Sequence, residues 1–363
     1  MKVRYRDLSV SDSKMKSELL SAVDKVLTHG KILLGPEVEE FEELIAKECG
    51  TKYAVGVGCG TDALYLSMRA LGIGPGDEVI TTPLSWIATV NAIVAAGAKP
   101  VFVDIGNDLN IDADLIENSI TDKTKAIIPV HFTGRICNME KIMEISKKNK
   151  IFVIEDAAQA FGANIKGKMA GSFGDTGCFS MNAMKVYSSY GEAGAIAVNN
   201  NKLKEFLISL RYNGTINKED CHVPSVNARI DTIHAAMMNI NAKYLPQRIK
   251  RIREISKYYN DKLKNIVECP LEDESFHTYY SYTIKVDDRE AFMNYLNENE
   301  IETKIQHPIL MPFHTAYKEK YHPIYIPIAV KLVKKIICIP NHDKMTDQQV
   351  EYVVEKITNY YRK

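Results

Sequence analysis

The chain predicts an α/β fold in which parallel strands are covered by helices on both faces. Three observations lead there. Between about residues 50 and 200, short and almost wholly apolar β-branched runs recur; amphipathic stretches separate them; and after Asn200 the rhythm changes. Strands that are apolar throughout are buried on both faces, as in a parallel sheet between helix layers. Crossovers in such a sheet are right-handed, and its ligands sit at the carboxyl ends of the strands.

The elements follow in order. Ala54-Val-Gly-Val57 reads as a strand, and Thr61 to Ala70 as the helix after it. Asp77-Glu-Val-Ile-Thr81 and Pro100-Val-Phe-Val-Asp104 bracket a helix from Ile87 to Ala96. Ala126-Ile-Ile-Pro-Val130 and Ile151-Phe-Val-Ile-Glu155 bracket the Lys/Glu-rich segment 139–150. Residues 232–265 read as a long helical region interrupted near Pro246, because proline has no N–H to give a helix interior. Tyr279 to Lys285, a helix from Arg289 to Asn297, and Glu302-Thr-Lys-Ile305 are expected to form a small βαβ unit. Thr346 is placed to cap a last helix ahead of Asp347-Gln-Gln349.

The 363 residues, 45% hydrophobic, suffice for one large core and a smaller one. The division is expected near residue 245, with a large domain over 1–245 and a small C-terminal domain over 246–363. Lys+Arg and Asp+Glu both number 46, so no global field draws in nucleic acid or an anionic membrane. The beginning, Met-Lys-Val-Arg-Tyr-Arg-Asp-Leu, lacks an apolar signal core, and no run approaches a membrane span. Seven scattered cysteines show no metal spacing. Small buried hydrophobes in a reducing cytoplasm are their expected role, and no metal is expected.

Two residues carry most of the chemistry. Asp156 closes the apolar strand of Ile154-Glu-Asp-Ala-Ala-Gln159, where an unpaired carboxylate is costly, so it needs a cation. An ordinary helix-capping aspartate is the alternative. Lys185 ends Gly177-Cys-Phe-Ser-Met-Asn-Ala-Met-Lys185, just before Gly191-Glu-Ala-Gly194, and stands between two expected strands. Apolar surroundings would lower a lysine's pKa and give a usable amine; a solvated surface charge is the ordinary alternative. An acid closing a buried strand, then a lysine framed by small residues, is what a pyridoxal phosphate enzyme needs. The lysine holds the cofactor as a Schiff base and the acid keeps the pyridine nitrogen protonated.

Three further signals agree. Gly58-Cys-Gly-Thr-Asp62 follows a strand and opens a helix, whose free N–H groups bind phosphate. It is neither a Walker loop nor GxGxxG, so a phosphate-bearing cofactor other than a nucleotide fits better, although such a turn can be merely a turn. Trp86, the only tryptophan, follows a strand and can stack on a planar ring or serve as a core or interface aromatic. The Ser180 hydroxyl can hold phosphate, and Gln159, three residues beyond Asp156, can lie on the same side.

Together these blocks resemble the DegT-type (DegT/DnrJ/StrS) sugar aminotransferases, a branch of the fold-type I pyridoxal phosphate enzymes. The likeness begins at Leu34-Gly-Pro-Glu-Val-Glu-Glu-Phe41 and runs through Gly60-Thr-Asp-Ala-Leu64, Leu71 to Val79, and Pro100 to Asp104. Glu155 to Gln159, Phe179-Ser180 with Lys185, Asn227-Ala-Arg-Ile-Asp231, and Pro308 to His314 complete it. The resemblance implies an aspartate-aminotransferase-like large domain with a mixed, mostly parallel sheet and a smaller α+β C-terminal domain. It implies that Lys185 bonds the cofactor and shuttles protons and that Asp156 pairs with the ring nitrogen. Gln159 would meet the ring hydroxyl, Trp86 would stack on the ring, and Gly60, Thr61 and Ser180 would bind the phosphate. Asn227 would reach the phosphate of a neighbouring subunit, making a homodimer with interfacial sites the active unit. The implied reaction is cytoplasmic transamination of a keto group on a nucleotide-linked sugar, with glutamate as donor, for amino-sugar and surface polysaccharide synthesis.

The chain also departs from the family. Asn182 stands where many members have His or Tyr, Gln306-His307-Pro308 where many have His-Tyr-Pro, and His234 where Gln is usual. Asn182, Arg229, Gln306, His307 and His314 are therefore the substrate candidates. Gly191-Glu-Ala-Gly194 is more similar to sugar 3-aminotransferases than to the Gly-Glu-Gly-Gly of 4-aminotransferases. A phosphorylated keto sugar or keto sugar acid without a nucleotide is the alternative substrate. A non-catalytic, pyridoxal-binding regulatory protein is the alternative class. Dehydratase relatives carry histidine in place of the lysine, and Lys185 speaks against that activity.

Overall fold

Alternation along the central strands sets the architecture. In the computed structural model, which describes residues 1–217, 219–321 and 324–362, seven strands form one sheet. They are β1 (Tyr53–Val57), β2 (Glu78–Thr81), β3 (Lys99–Phe102), β4 (Thr124–Ile128), β5 (Phe152–Asp156), β6 (Thr176–Ser180) and β7 (Gly194–Val198). Their spatial order is β1-β7-β6-β5-β4-β2-β3. All neighbours run parallel except β7, which is antiparallel to both β1 and β6. The sheet is thus mixed and mostly parallel.

Successive side chains of β4 and β5 enter two different cores. Ile127 and Val153 pack with Phe41, Ile45 and Met139 on one face; Ala126, Ile128 and Ile154 pack with Leu66, Met68 and Ile93 on the other. This is the period-two geometry of a strand with both faces covered. Each fully buried isoleucine contributes about 1.5–3 kcal/mol, and Ile127→Ala would cost about 2–5 kcal/mol. The covering helices include α1 (Ser13–His29), α2 (Pro36–Cys49), α3 (Gly60–Ala70), α4 (Ala88–Ala95), α5 (Met139–Asn149), α6 (Asn201–Leu210) and α7 (Thr232–Ala242).

Pro246 divides the long helical region by starting a new helix, α8 (Leu245–Leu263), in whose first turn a missing N–H costs nothing. A separate core follows, from α8, β8 (Tyr282–Lys285), α9 (Arg289–Glu298), β9 (Ile336–Ile339) and α11 (Asp347–Tyr361), with the short α10 (Pro327–Leu332) beside β9. Thr346 caps α11 in a capping box with Gln349. Val3 belongs to this core as well, through a parallel bridge to Ile301.

The expected βαβ unit does not form. The partner of β8 is β9, running antiparallel, and residues 302–305 contribute one bridge, Lys304 to Cys338. The reason is polarity. Ile336-Ile-Cys-Ile339 is buried at every position, whereas Glu302 and Lys304 are exposed and cannot occupy a strand buried on both faces. Of the cysteines, 49, 137, 178 and 338 are buried, 59 and 269 are half-buried, and Cys221 is exposed. No helix among the described residues is long and apolar enough to cross a membrane.

Candidate active site

The carboxyl ends of β2, β5 and β6 and the N-terminus of α3 converge on a cavity of about 760 Å³. Lys185, Asp156, Gln159, Trp86, Gly60, Thr61, Ser180, Asn182, Gln306, His307 and His314 all line it. Asn227 and Arg229 do not. Asn227 is exposed beside β1, where its side-chain oxygen accepts from Arg229 Nε at 2.7 Å.

One end of the cavity is a cradle for an anion. Cys59 caps α3, its Sγ accepting from the Asp62 N–H at 3.4 Å. The first turn of α3 lies directly on the ends of β6 and β7. A Cβ on Gly60 would stand 2.7 Å from Ser180 Cβ, and one on Gly194 would stand 2.5 Å from the Cys59 carbonyl. Only glycine at both places lets the helix terminus and the Ser180 hydroxyl share one small space.

Asp156 is the last residue of β5 and 4% exposed. Its Oδ2 accepts from Thr89 Oγ1 at 2.8 Å and its Oδ1 from the Ala158 N–H at 3.3 Å. Burial pushes its carboxyl above the usual range; the Thr89 and Ala158 hydrogen bonds, Lys185 and His131 pull the other way. Beneath it, Glu155 accepts from the N–H groups of Gly171 and Gly174, both at 2.8 Å, and meets His131 Nε2 at 3.0 Å. His131 Nδ1 accepts from the Cys137 N–H, so Nε2 carries the proton toward Glu155. Gln159 Oε1 accepts from the Thr133 N–H at 2.8 Å, which leaves its amide NH₂ to donate elsewhere.

Lys185 is half-buried, and its Nζ lies 4.7 Å from the centroid of the Tyr280 ring. Burial alone would push the Tyr280 phenol up, but Lys185, Arg6 and Lys304 together bring it below its ordinary value. Across the cavity, Trp86 is 61% exposed, with its ring 5.7 Å from that of His307. His307 has a left-handed backbone (φ 54) and a buried Nε2 without a hydrogen-bond partner. Burial, with Lys185, Lys304 and His314 adding to it, lowers its pKa to about 3, so the imidazole is neutral. Asn182 donates through Nδ2 to Glu192, and its Oδ1 accepts from the Met184 N–H at 2.9 Å.

Sequence reasoning missed Thr89, Glu192, Tyr280 and Lys304, which also line the cavity. Glu192 lay inside a motif already singled out. The others come from distant segments with no local signal.

These residues fit pyridoxal phosphate: a glycine-shaped anion cradle, a flat aromatic with an open face, a buried acid in no ion pair among the described residues, and an amine within one cavity. Comparisons agree. The model of the DegT/DnrJ/EryC1/StrS aminotransferase family matches residues 13–358. The chain is 39% identical over 361 residues to the dTDP-3-amino-3,6-dideoxy-alpha-D-galactopyranose transaminase of Aneurinibacillus thermoaerophilus, covering 99% of each chain. It is 36% identical over 369 residues to the pleiotropic regulatory protein of Geobacillus stearothermophilus, covering 100% of this chain and 99% of that one. The crystal structure of S. venezuelae DesV in complex with a ketimine intermediate matches it with a TM-score of 0.97 at 30% identity, over 100% of this chain and 99% of that chain.

Proposed function

This chain belongs to the DegT/DnrJ/EryC1/StrS aminotransferase family, and from that premise we propose that it aminates a keto carbon of a nucleotide-linked sugar. Glutamate is the donor and pyridoxal 5'-phosphate the cofactor. The observation that carries the reading is the meeting of buried Asp156 with the Lys185 amine in a cavity that ends in an anion cradle. Gly191-Glu-Ala-Gly194 supports a 3-keto sugar, as does the similarity to the A. thermoaerophilus transaminase, which is named for a 3-amino sugar.

Each residue has a task in that chemistry. Gly60, Thr61 and Ser180 would hold the phosphate, Trp86 would cover the ring, and the free amide of Gln159 would donate to the ring hydroxyl. Bound there, the cofactor supplies an electron sink for the donor's α-carbon. Asp156 prefers a cationic neighbour, because its ionised form is otherwise poorly satisfied at such burial; a protonated ring nitrogen is that neighbour. Lys185 would hold the cofactor through its amine, and as a free amine it would take a proton from the donor's α-carbon and return it. Neutral His307 stands on the sugar side of the cavity, with Asn182, Gln306 and His314 beside it. The two half-reactions make the kinetics ping-pong.

A homodimer is the active unit in this reading, with Asn227 and Arg229 of one subunit completing the site of the other. The positions of exposed Asn227 and half-buried Arg229 outside their own cavity support it, as do Leu20 (62% exposed) and Leu27 (60% exposed), two turns apart on α1. Absorption spectra before and after glutamate test the function. A band at the visible edge that glutamate bleaches, with release of 2-oxoglutarate, is expected; keto-sugar nucleotides should restore it. A bleachable band that only non-nucleotide keto sugars restore would move the substrate to that class. No band after pyridoxal phosphate is added would overturn the enzyme reading in favour of a regulatory protein.

A further inference from the structure

Five side chains near the cavity alternate between cation and ring. Lys304, Tyr5, Arg6, Tyr280 and Lys185 follow one another at 6.0, 5.7, 5.3 and 4.7 Å from charge to ring centroid. All four separations fall within the range in which a ring face attracts a cation. The series ends on the reactive lysine, and nothing in its sequence spacing announces it.

The middle of the series is fixed from several sides. Arg6 donates to the carbonyl of Tyr280 and, at 3.3 Å, to that of Asn341. The segment carrying Arg6 is tied down by Val3 N–H to the Glu300 carbonyl (2.9 Å), Tyr5 N–H to the Glu302 carboxylate (3.0 Å) and Lys344 Nζ to the Asp7 carbonyl (3.0 Å). Tyr280 is 8% exposed. Its flanking residues are bonded to the turn that also receives Gln159: Thr278 N–H reaches the Gly134 carbonyl at 3.1 Å and Ser281 N–H the Thr133 carbonyl at 3.4 Å. The ring therefore has a fixed place relative to Lys185.

We propose that Tyr280, steadied by Arg6, is the seat on which the Lys185 ammonium rests whenever its amine is not covalently engaged. The reaction requires that amine to leave and return, and a flexible four-carbon stem released into a wide cavity has many rotamers that point elsewhere. A ring face at 4.7 Å limits that search without forming a hydrogen bond that must later be broken. Tyr280 is thus a positioning residue, acting through Lys185. The lowered phenol follows from the same crowding by Lys185, Arg6 and Lys304.

The inference rests on Lys185 being the reactive amine, so its test reads the lysine without the cofactor. Cofactor-free, full-length protein is treated with a trace of an amine-acylating reagent, and the acylation rate at Lys185 is followed by peptide mapping. Tyr280→Leu should raise that rate about fivefold, the factor that a partly exposed cation–ring contact is worth, while Tyr280→Phe stays within about twofold. With cofactor bound, Tyr280→Leu should lower kcat and leave KM for glutamate nearly unchanged, and Tyr280→Phe should restore kcat. A wild-type acylation rate in Tyr280→Leu would overturn the proposal, as would Tyr280→Phe behaving like Tyr280→Leu. If Tyr280→Leu does not fold, Arg6→Gln carries the test: a rate at least about twofold above wild type is expected, and an unchanged rate overturns the seat. Failure of the spectral test with a positive acylation result would dismiss the aminotransferase reading while leaving the seat in place.

Discussion

Adding one methyl group at Gly60 tests the anion cradle most directly. The new Cβ would stand 2.7 Å from Ser180 Cβ, 3.2 Å from its Cα and 3.4 Å from its N. Carbon atoms rest at about 3.5–4.0 Å, so the first turn of α3 and the end of β6 must part by about 1 Å. Two of the obstructing atoms are backbone, which no rotamer change relieves. Overpacking of this kind costs about 1–3 kcal/mol of stability. The cost to binding is separate. A hydrogen bond to a charged group is worth about 1.5–3 kcal/mol, so losing the alignment of one donor weakens affinity by about tenfold to a hundredfold. Trp86 is the only tryptophan and lines the same cavity, so its fluorescence reports binding without a label. Cofactor-free Gly60→Ala should bind both pyridoxal phosphate and inorganic phosphate more weakly by that factor. Gly74→Ala is the control, because its Cβ would meet nothing nearer than the Ala96 carbonyl at 3.6 Å. A Gly60→Ala protein that loses thermal stability yet binds both ligands like wild type would refute the cradle and leave a mere packing contact.

Other outcomes follow from the same geometry. Lys185→Ala should abolish turnover while the melting temperature stays near wild type, because a half-buried lysine contributes little to packing; wild-type turnover would overturn its assignment. Asp156→Asn should still bind cofactor but lose at least about a hundredfold in kcat. In the cofactor-free protein the same change should stabilise at neutral pH. The folded carboxyl has a raised pKa, so the native state binds the extra proton and stability falls as pH rises through the carboxylate range; an asparagine escapes that loss. Equal melting temperatures from pH 4 to pH 8 in the two proteins would contradict it. His307 has the opposite sign. With its pKa lowered from 6.5 to about 3, the unfolded chain binds the proton first, so stability is lost as pH falls through that window. His307→Gln should flatten this acid limb in a melting-temperature series, and an unchanged limb would remove the histidine from the account.

The strands, the helices between them and the two residues proposed as the catalytic pair were legible because their signals are local. Asp156 is visible as an acid at the end of an apolar run, and Pro246 as a break in the long helical region. Residues 302–305 were misread for a physical reason: a short alternating segment looks like a strand until a wholly apolar one, Ile336–Ile339, competes for the same edge. The acid's support was illegible. Thr89 stands 67 residues before Asp156, and only the tertiary fold brings them within a hydrogen bond. Tyr280 carried no signal either, since its role depends on Arg6, 274 residues away.

The tie between the two ends of the chain has a consequence for synthesis. Tyr5 donates to a carboxylate 297 residues further on, and Arg6 leaves that same stretch to reach Tyr280. At about 5–20 residues per second, a ribosome needs about 15–60 s to bring those partners into existence. Throughout that interval the β-sheet can assemble as its strands emerge, but the first residues have nothing to dock on. Long-range closures of this kind form late and slowly. The contacts that steady Tyr280 are then among the last to close, and a nascent chain with a finished sheet does not yet hold the Tyr280 ring in place beside Lys185.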